Sequence, residues 1–357
     1  MNVNRQNGLL RYDNEMQRIL VQNNLYLLKK HAHLESTEIL YAPIYYTQNQ
    51  LDFFQKRFSE LKKLFPTAQW SEHVEEQDFD VALSWDAIYE INAFGARIYP
   101  EQNRLFSSLP FDLPETFTPF RKLAEEILPD FYSGAVLPWD SEVADELNYY
   151  FREKKLPASY LDTRNELTGR DGSTKFSPYL SCGVLDVRHL YNEVRTFEEN
   201  HGATKSSGWI VFELLWREYF YWHYQNHKRL YFSKKGLHGK TDFSPVPDYS
   251  INELRELTNE PFFHAALSEL TTTGFLSNRA RQIFASFWIN DLNLDWRSGA
   301  RLFEEQLIDY DVYSNFGNWM YLAGVGVDPR GQRYFNVKKQ LETYDPQGSY
   351  LRTWQTN

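Results

Sequence analysis

The chain has one cysteine, Cys182, in 357 residues. One thiol cannot close an intramolecular disulfide, complete a structural zinc site or hold an iron–sulfur cluster, so a reducing, cytoplasmic setting is expected. Long apolar runs are also missing: none approaches the roughly 18 residues of a spanning helix, and the start Met1-Asn-Val-Asn-Arg-Gln-Asn-Gly8 has no signal-like apolar core. A soluble, untargeted protein is expected. Basic charge is short as well, with 38 Lys and Arg against 48 Asp and Glu and a net charge of −10. That balance argues against nonspecific coating of nucleic acid, which draws on phosphate neutralisation. Neither a Walker nor a Rossmann glycine pattern occurs, and no repeat or low-complexity tract is found.

Flat rings are in excess. Trp, Tyr and Phe make up 17% of the chain, and such rings build cores but also wall flat ligands. From Ser286 to Trp319 they alternate with carboxylates and amides, through Trp288, Asp295, Trp296, Asp309, Asp311 and Asn315. A hydrophobic core alone does not require that mixture; a redox cofactor explains it.

The length favours two domains. In the first, 25–28, 39–46, 79–83 and 97–99 read as strands, and 49–65 and 86–94 as helices, giving a small α/β domain over 1–105. Prolines at 110, 114, 119, 129 and 138 interrupt regular structure and mark a linker over 106–139. From 140 to 357 the pattern is helical, so the fold class is a reduced α/β domain followed by an all-α domain.

Three constellations in the helical part carry chemistry. Segment 170–178, Arg-Asp-Gly-Ser-Thr-Lys-Phe-Ser-Pro, puts a Gly turn, hydroxyls and a cation before a helix, which suits a phosphate. Judged alone, the segment reads first as a plain Ser/Thr N-cap with Pro at the first turn. Helix 208–224 is apolar nearly all round, yet carries Glu213 between Trp209 and Trp216 at i, i+4 and i+7. A buried acid is either paired, with Arg217 one turn on the structural choice, or works with a raised pKa. Asn278, Arg281 and Gln282 share a helix face opposite Ile283, Phe284, Phe287 and Trp288, with Asp309 as a partner for Arg281, structural or cofactor-directed. Two cation clusters, 330–339 and Arg279, Arg281, Arg297 and Arg301, offer a basic face or simply a solvated surface.

Together, Tyr160-Leu-Asp-Thr-Arg-Asn, Ser173-Thr-Lys-Phe-Ser-Pro-Tyr-Leu, Phe212-Glu-Leu-Leu-Trp-Arg-Glu-Tyr-Phe, Thr273-Gly-Phe-Leu-Ser-Asn-Arg-Ala-Arg-Gln and Asp309-Tyr-Asp-Val-Tyr-Ser-Asn-Phe-Gly-Asn-Trp resemble the photolyase/cryptochrome family, most closely its DASH branch. The resemblance runs from about Tyr160 to Trp354. It implies a U-shaped FAD in the helical domain. Tyr160, Ser173, Thr174, Lys175, Phe176 and Ser177 would hold its ribose and phosphates, and Trp209, Glu213, Arg217, Asn278, Arg281, Asp309, Asp311 and Asn315 would surround the rest. Glu213, Trp216, Asn278, Gln282 and Tyr321 would meet a pyrimidine dimer, and Trp319 and Trp296 would pass electrons to the flavin. The implied activity is light-driven splitting of cyclobutane pyrimidine dimers in DNA. Base flipping, for which photolyases are a standard example, enters with the resemblance alone.

The departures are specific. Gln282 and Tyr321 agree with the DASH branch and imply single-stranded DNA as substrate. Ser277 stands where six-four photolyases have a histidine. Phe243 stands where the outer tryptophan of the family's electron chain falls, which leaves Tyr249 or Tyr313 as other exits. Only 172 residues precede Ser173, fewer than in a full-length relative, which leaves an antenna chromophore in doubt. No carboxy-terminal extension is seen after Trp354, which favours repair over the alternative of a cryptochrome-like photoreceptor. No metal, no membrane, no obligate protein partner and a monomer are expected.

Overall fold

A computed structural model describes residues 103–355, apart from 136, 139 and 329, together with 47–64 and five short strands between residues 3 and 71. The strands are β1 (Val3–Gln6), β2 (Leu9–Tyr12), β3 (Gln17–Val21), β4 (Thr37–Tyr41) and β5 (Gln69–Ser71), in that order across one sheet. β1, β2 and β3 pair antiparallel, whereas β3–β4 and β4–β5 are parallel, with Ile19 opposite Ile39 and Ile39 opposite Trp70. Helix α1 (Gln48–Leu64) lies between β4 and β5, the crossover that a parallel pair requires.

The strand expected at 39–46 is found as Thr37–Tyr41, and the helix expected at 49–65 is α1. The strands read at 25–28, 79–83 and 97–99 and the helix read at 86–94 lie outside the described residues. Helix α1 docks on later segments: Gln50 Nε2 donates to the carbonyls of Glu304 and Leu307 at 2.9 and 3.1 Å. Arg57, buried over the Phe53 ring, pairs with Glu142 at 2.8 Å.

The proline-rich stretch holds a regular element after all. Helix α2 (Phe117–Ile127) buries Phe117, Phe120 and Ala124. Pro119 is its third residue, where an N–H would have no intrahelical acceptor, so the proline costs the helix nothing there.

The remaining helices are α3 (Ser141–Asn148), α4 (Tyr160–Thr163), α5 (Ser177–Cys182), α6 (Val187–His201), α7 (Lys205–His227), α8 (Ile251–Glu256), α9 (Pro261–Thr273), α10 (Asn278–Asn290), α11 (Trp296–Gln306), α12 (Val312–Ala323), α13 (Val337–Tyr344) and α14 (Ser349–Trp354). No strand occurs among the described residues of 103–355. Helix α7 is the axis of this unit. A capping box between Thr204 and Ser207 starts it, and it packs against α2, α4, α6 and α12.

Helix α12 lies close to α11 and to α7 because one glycine at each contact allows it. A Cβ on Gly299 would lie 2.2 Å from the Trp319 ring, and one on Gly317 2.2 Å from Phe220. Two rings that border the site are therefore held by the absence of a methyl group. No described helix is long and apolar enough to cross a membrane.

Candidate functional site

Helices α4, α5, α7, α10 and α12 line an open cavity of about 450 Å³. Tyr160 and Arg164 border it from α4, Ser173, Thr174, Lys175 and Ser177 from the loop into α5, and Trp209, Glu213, Trp216 and Arg217 from α7. Asn278, Arg281, Gln282, Asp309 and Tyr321 complete the wall. A second cavity of about 100 Å³ shares Asn278, Arg281, Gln282 and Asp309 with the first and adds Asp311, Asn315 and Trp319. All three residues of the shared α10 face thus meet at the partition between the two spaces.

No hydroxyl of the 173–177 loop caps helix α5. Lys175 takes a left-handed φ of 56°, uncommon for a side chain of its size. The N-cap of α5 is Phe176, with no side-chain bond, so the plain Ser/Thr cap reading does not hold. Ser173 and Thr174 make no side-chain hydrogen bond among the described residues, while Ser177 Oγ donates to Asp309 at 2.6 Å. Phe176 does not border either cavity; it is buried, parallel to Phe151 with centroids 6.2 Å apart, and anchors the loop from behind.

Arg281 and Asp309 form the anticipated pair. Arg281 Nη2 donates to both Asp309 oxygens at 2.9 and 2.8 Å. Asn315 Nδ2 donates to the Ala300 carbonyl at 2.8 Å, which leaves its oxygen as an acceptor. Asp311 caps α12 and meets Arg104 at 3.3 Å. Burial pushes Asp311 upward, but Arg104, Arg217 and its bonds to Ser314 outweigh that and hold it below the usual carboxylate range.

Glu213 is paired, but not with Arg217. Its Oε1 accepts from Trp209 Nε1 at 3.0 Å and from Arg164. Burial raises its pKa, opposed by Arg164 and by the Trp209 bond. Arg217 turns instead to the carbonyls of Asn103 and Leu180 at 2.7 and 3.4 Å. Burial pushes it down to about 10, still a cation at neutral pH.

Trp216 lies face to face with Phe117 of α2, centroids 3.7 Å apart at 10°, and edge-on to Tyr321 at 5.9 Å. The Tyr321 hydroxyl accepts from Arg333 at 2.8 Å, and Arg333 also pairs with Asp328. Gln282 Oε1 is buried without a hydrogen-bond partner. Trp319 borders the smaller cavity; Trp296 borders neither, and gives its Nε1 to the Lys234 carbonyl at 3.0 Å.

The second cation cluster is not one basic face. Arg297 pairs with Asp295, Arg301 with Glu305, and Arg281 with Asp309, so most of its charge is spent locally. Ser277, in the place of the six-four histidine, caps α10 by accepting from Ala280 N. The sequence reading missed Asn103, Arg104, Arg164 and Phe117.

Residues 209–356 match the family described as the FAD binding domain of DNA photolyase. A cryptochrome DASH from Idiomarina loihiensis is 42% identical over 289 residues, covering 71% of this chain and 64% of that protein. The chain belongs to the photolyase/cryptochrome family. It carries the family's FAD-binding helical domain, and it spans a little under two thirds of that DASH relative. A crystal structure of a Synechocystis cryptochrome superposes with a TM-score of 0.68 at 29% identity, over 96% of this chain and 89% of that one. A class III photolyase from Agrobacterium tumefaciens, at 18% identity and a TM-score of 0.58 over 96% and 87%, shares the fold.

The residues present fit FAD. Free hydroxyls at Ser173 and Thr174 beside Lys175 suit phosphates, and the unpartnered Gln282 oxygen shows that the cavity wall is built for a polar occupant.

Proposed function

We propose that this protein is a light-driven DNA lyase that splits cyclobutane pyrimidine dimers, acting on single-stranded DNA. The observation that carries this reading is Glu213: a carboxylate with a raised pKa, fixed by Trp209 and Arg164 on the wall of the 450 Å³ cavity. Ser173, Thr174, Lys175, Ser177, Arg281, Asp309 and Asn315 would hold FAD, which in its reduced form would supply a photoexcitable one-electron donor.

The chain's own side chains then act on the dimer. Trp216, braced from behind by Phe117, offers a flat wall on which a flipped-out base stacks. Glu213 donates a hydrogen bond or proton to a dimer carbonyl as that oxygen gains charge, which a raised pKa favours. Gln282 has a free acceptor for a base N–H. Single-stranded DNA suits this pocket because less pairing must be undone to extrude the dimer.

The test is Glu213→Ala in chemically reduced, FAD-loaded protein. Bound FAD is expected to stay at one per chain while dimer splitting per absorbed photon falls at least about tenfold, against the roughly 10²–10⁴-fold that a positioned proton donor contributes. Unchanged splitting would make Glu213 a structural residue and remove the support for this reading.

A further inference from the structure

We propose that Trp288 and Tyr249 form an electron exit from the flavin site, running Trp319 to Trp288 to Tyr249 and ending at solvent. This rests on the flavin chemistry proposed above.

Trp319 borders the smaller cavity beside Asn315. Its ring stands edge-on to Trp288, centroids 6.2 Å apart at 79°. Trp288 is fully enclosed and gives its Nε1 to the Asp295 carbonyl at 3.0 Å. Tyr249 stands edge-on to Trp288 in turn, at 5.9 Å and 83°. Tyr249 is half-buried, in the exposed segment just before α8, with its backbone N–H on the Asp248 carboxylate. Three oxidisable rings thus run in continuous contact from cavity to surface. Electron tunnelling falls off exponentially with the gap between rings, so contact matters.

The other direction lacks an oxidisable outer end. Trp296 makes its ring contact with Phe316, at 5.9 Å, and no comparable contact joins it to Trp319 among the described residues. Position 243, further out, is an exposed phenylalanine, and a benzene ring does not yield an electron where indole and phenol do. Tyr313 is no exit either: it is fully enclosed, packed against Tyr221, Tyr224 and Arg104.

The step balances as follows. With FAD bound, light would move one electron from Trp319 to the oxidised flavin. One electron then passes from Trp288 to Trp319 and one from Tyr249 to Trp288. The Tyr249 phenol proton goes to solvent, leaving a neutral tyrosyl radical. A dissolved thiol returns one electron and one proton, and two such thiyl radicals end as a disulfide.

The experiment is electron paramagnetic resonance of blue-illuminated, FAD-loaded protein, oxidised at the start, without thiol. Wild type is expected to give a tyrosyl signal. Tyr249→Phe and Trp288→Phe are expected to lose it with FAD still bound by absorbance, and Trp296→Phe to keep it. A tyrosyl signal that survives Tyr249→Phe, that vanishes in Trp296→Phe, or that is absent from wild type overturns the proposal. If Trp288→Phe fails to bind FAD, Tyr249→Phe at the surface end decides alone. Dimer splitting by dithionite-reduced wild type, which needs no relay, reports separately on the repair reading.

Discussion

Arg281→Ala isolates the pair at the centre of the partition between the two cavities. The Asp309 side chain is 2% exposed, and both its oxygens accept from Arg281, with Ser177 as the other donor. Removing the guanidinium leaves a buried carboxylate with one hydroxyl. Stripping one partner from a buried pair costs about 3–5 kcal/mol. Arg281 is 24% exposed, on the cavity side, so water can enter after truncation, and screening brings the expected loss to about 2–3 kcal/mol. Urea unfolding of FAD-free protein measures this directly. The double variant Arg281→Ala with Asp309→Asn, which removes the orphaned charge, is expected to recover at least about 1 kcal/mol. A loss under about 0.5 kcal/mol for Arg281→Ala, the level of an ordinary surface change, would refute the claim that the two charges are coupled.

Glu304 is buried, and burial together with the neighbouring Glu305 raises it to about 8 against the opposing pull of Tyr310 and Arg301. Because the folded-state value lies above that of the unfolded chain, its contribution is retained below about pH 4.5 and lost as pH rises towards about 8. Glu304→Gln should flatten that decline by about 2–4 kcal/mol in urea titrations at pH 5 and pH 8; equal slopes would mean that the acid is not desolvated. Gly299→Ala pushes a methyl into Trp319, so about 1–3 kcal/mol of overpacking loss is expected, with a changed near-UV circular dichroism band. Phe117→Ala removes the ring stacked on Trp216 and should cost about 3–5 kcal/mol by urea unfolding; a cost under about 1 kcal/mol would mean that the stack does not hold Trp216.

Much of the site was legible because its residues repeat with helical spacing. Asn278, Arg281 and Gln282 were placed on one face by i, i+3 and i+4 alone, and the structure sets all three on the cavity partition. Trp209 and Glu213, one turn apart, do touch. The remaining partners were hidden by sequence distance. Arg164 reaches Glu213 across 49 positions, and Asn103 works through the carbonyls of Leu180 and Leu185, acceptors that every residue carries and no pattern marks. Phe117 was lost with its helix, because Pro119 was read as a breaker when its place in the first turn makes it harmless. The arginine cluster looked like a surface because charge was counted without partners, although Asp295 and Glu305 stand two and four residues from the arginines they bind.

The most direct test of the account is repair itself. Wild-type protein with FAD, reduced by dithionite and lit with blue light, is given a single-stranded oligonucleotide carrying one thymine dimer and the same dimer within a duplex. The account predicts light-dependent restoration of the two thymines, faster in the single strand, and none in the dark. Full FAD binding with dimers left intact in both substrates under light would contradict it.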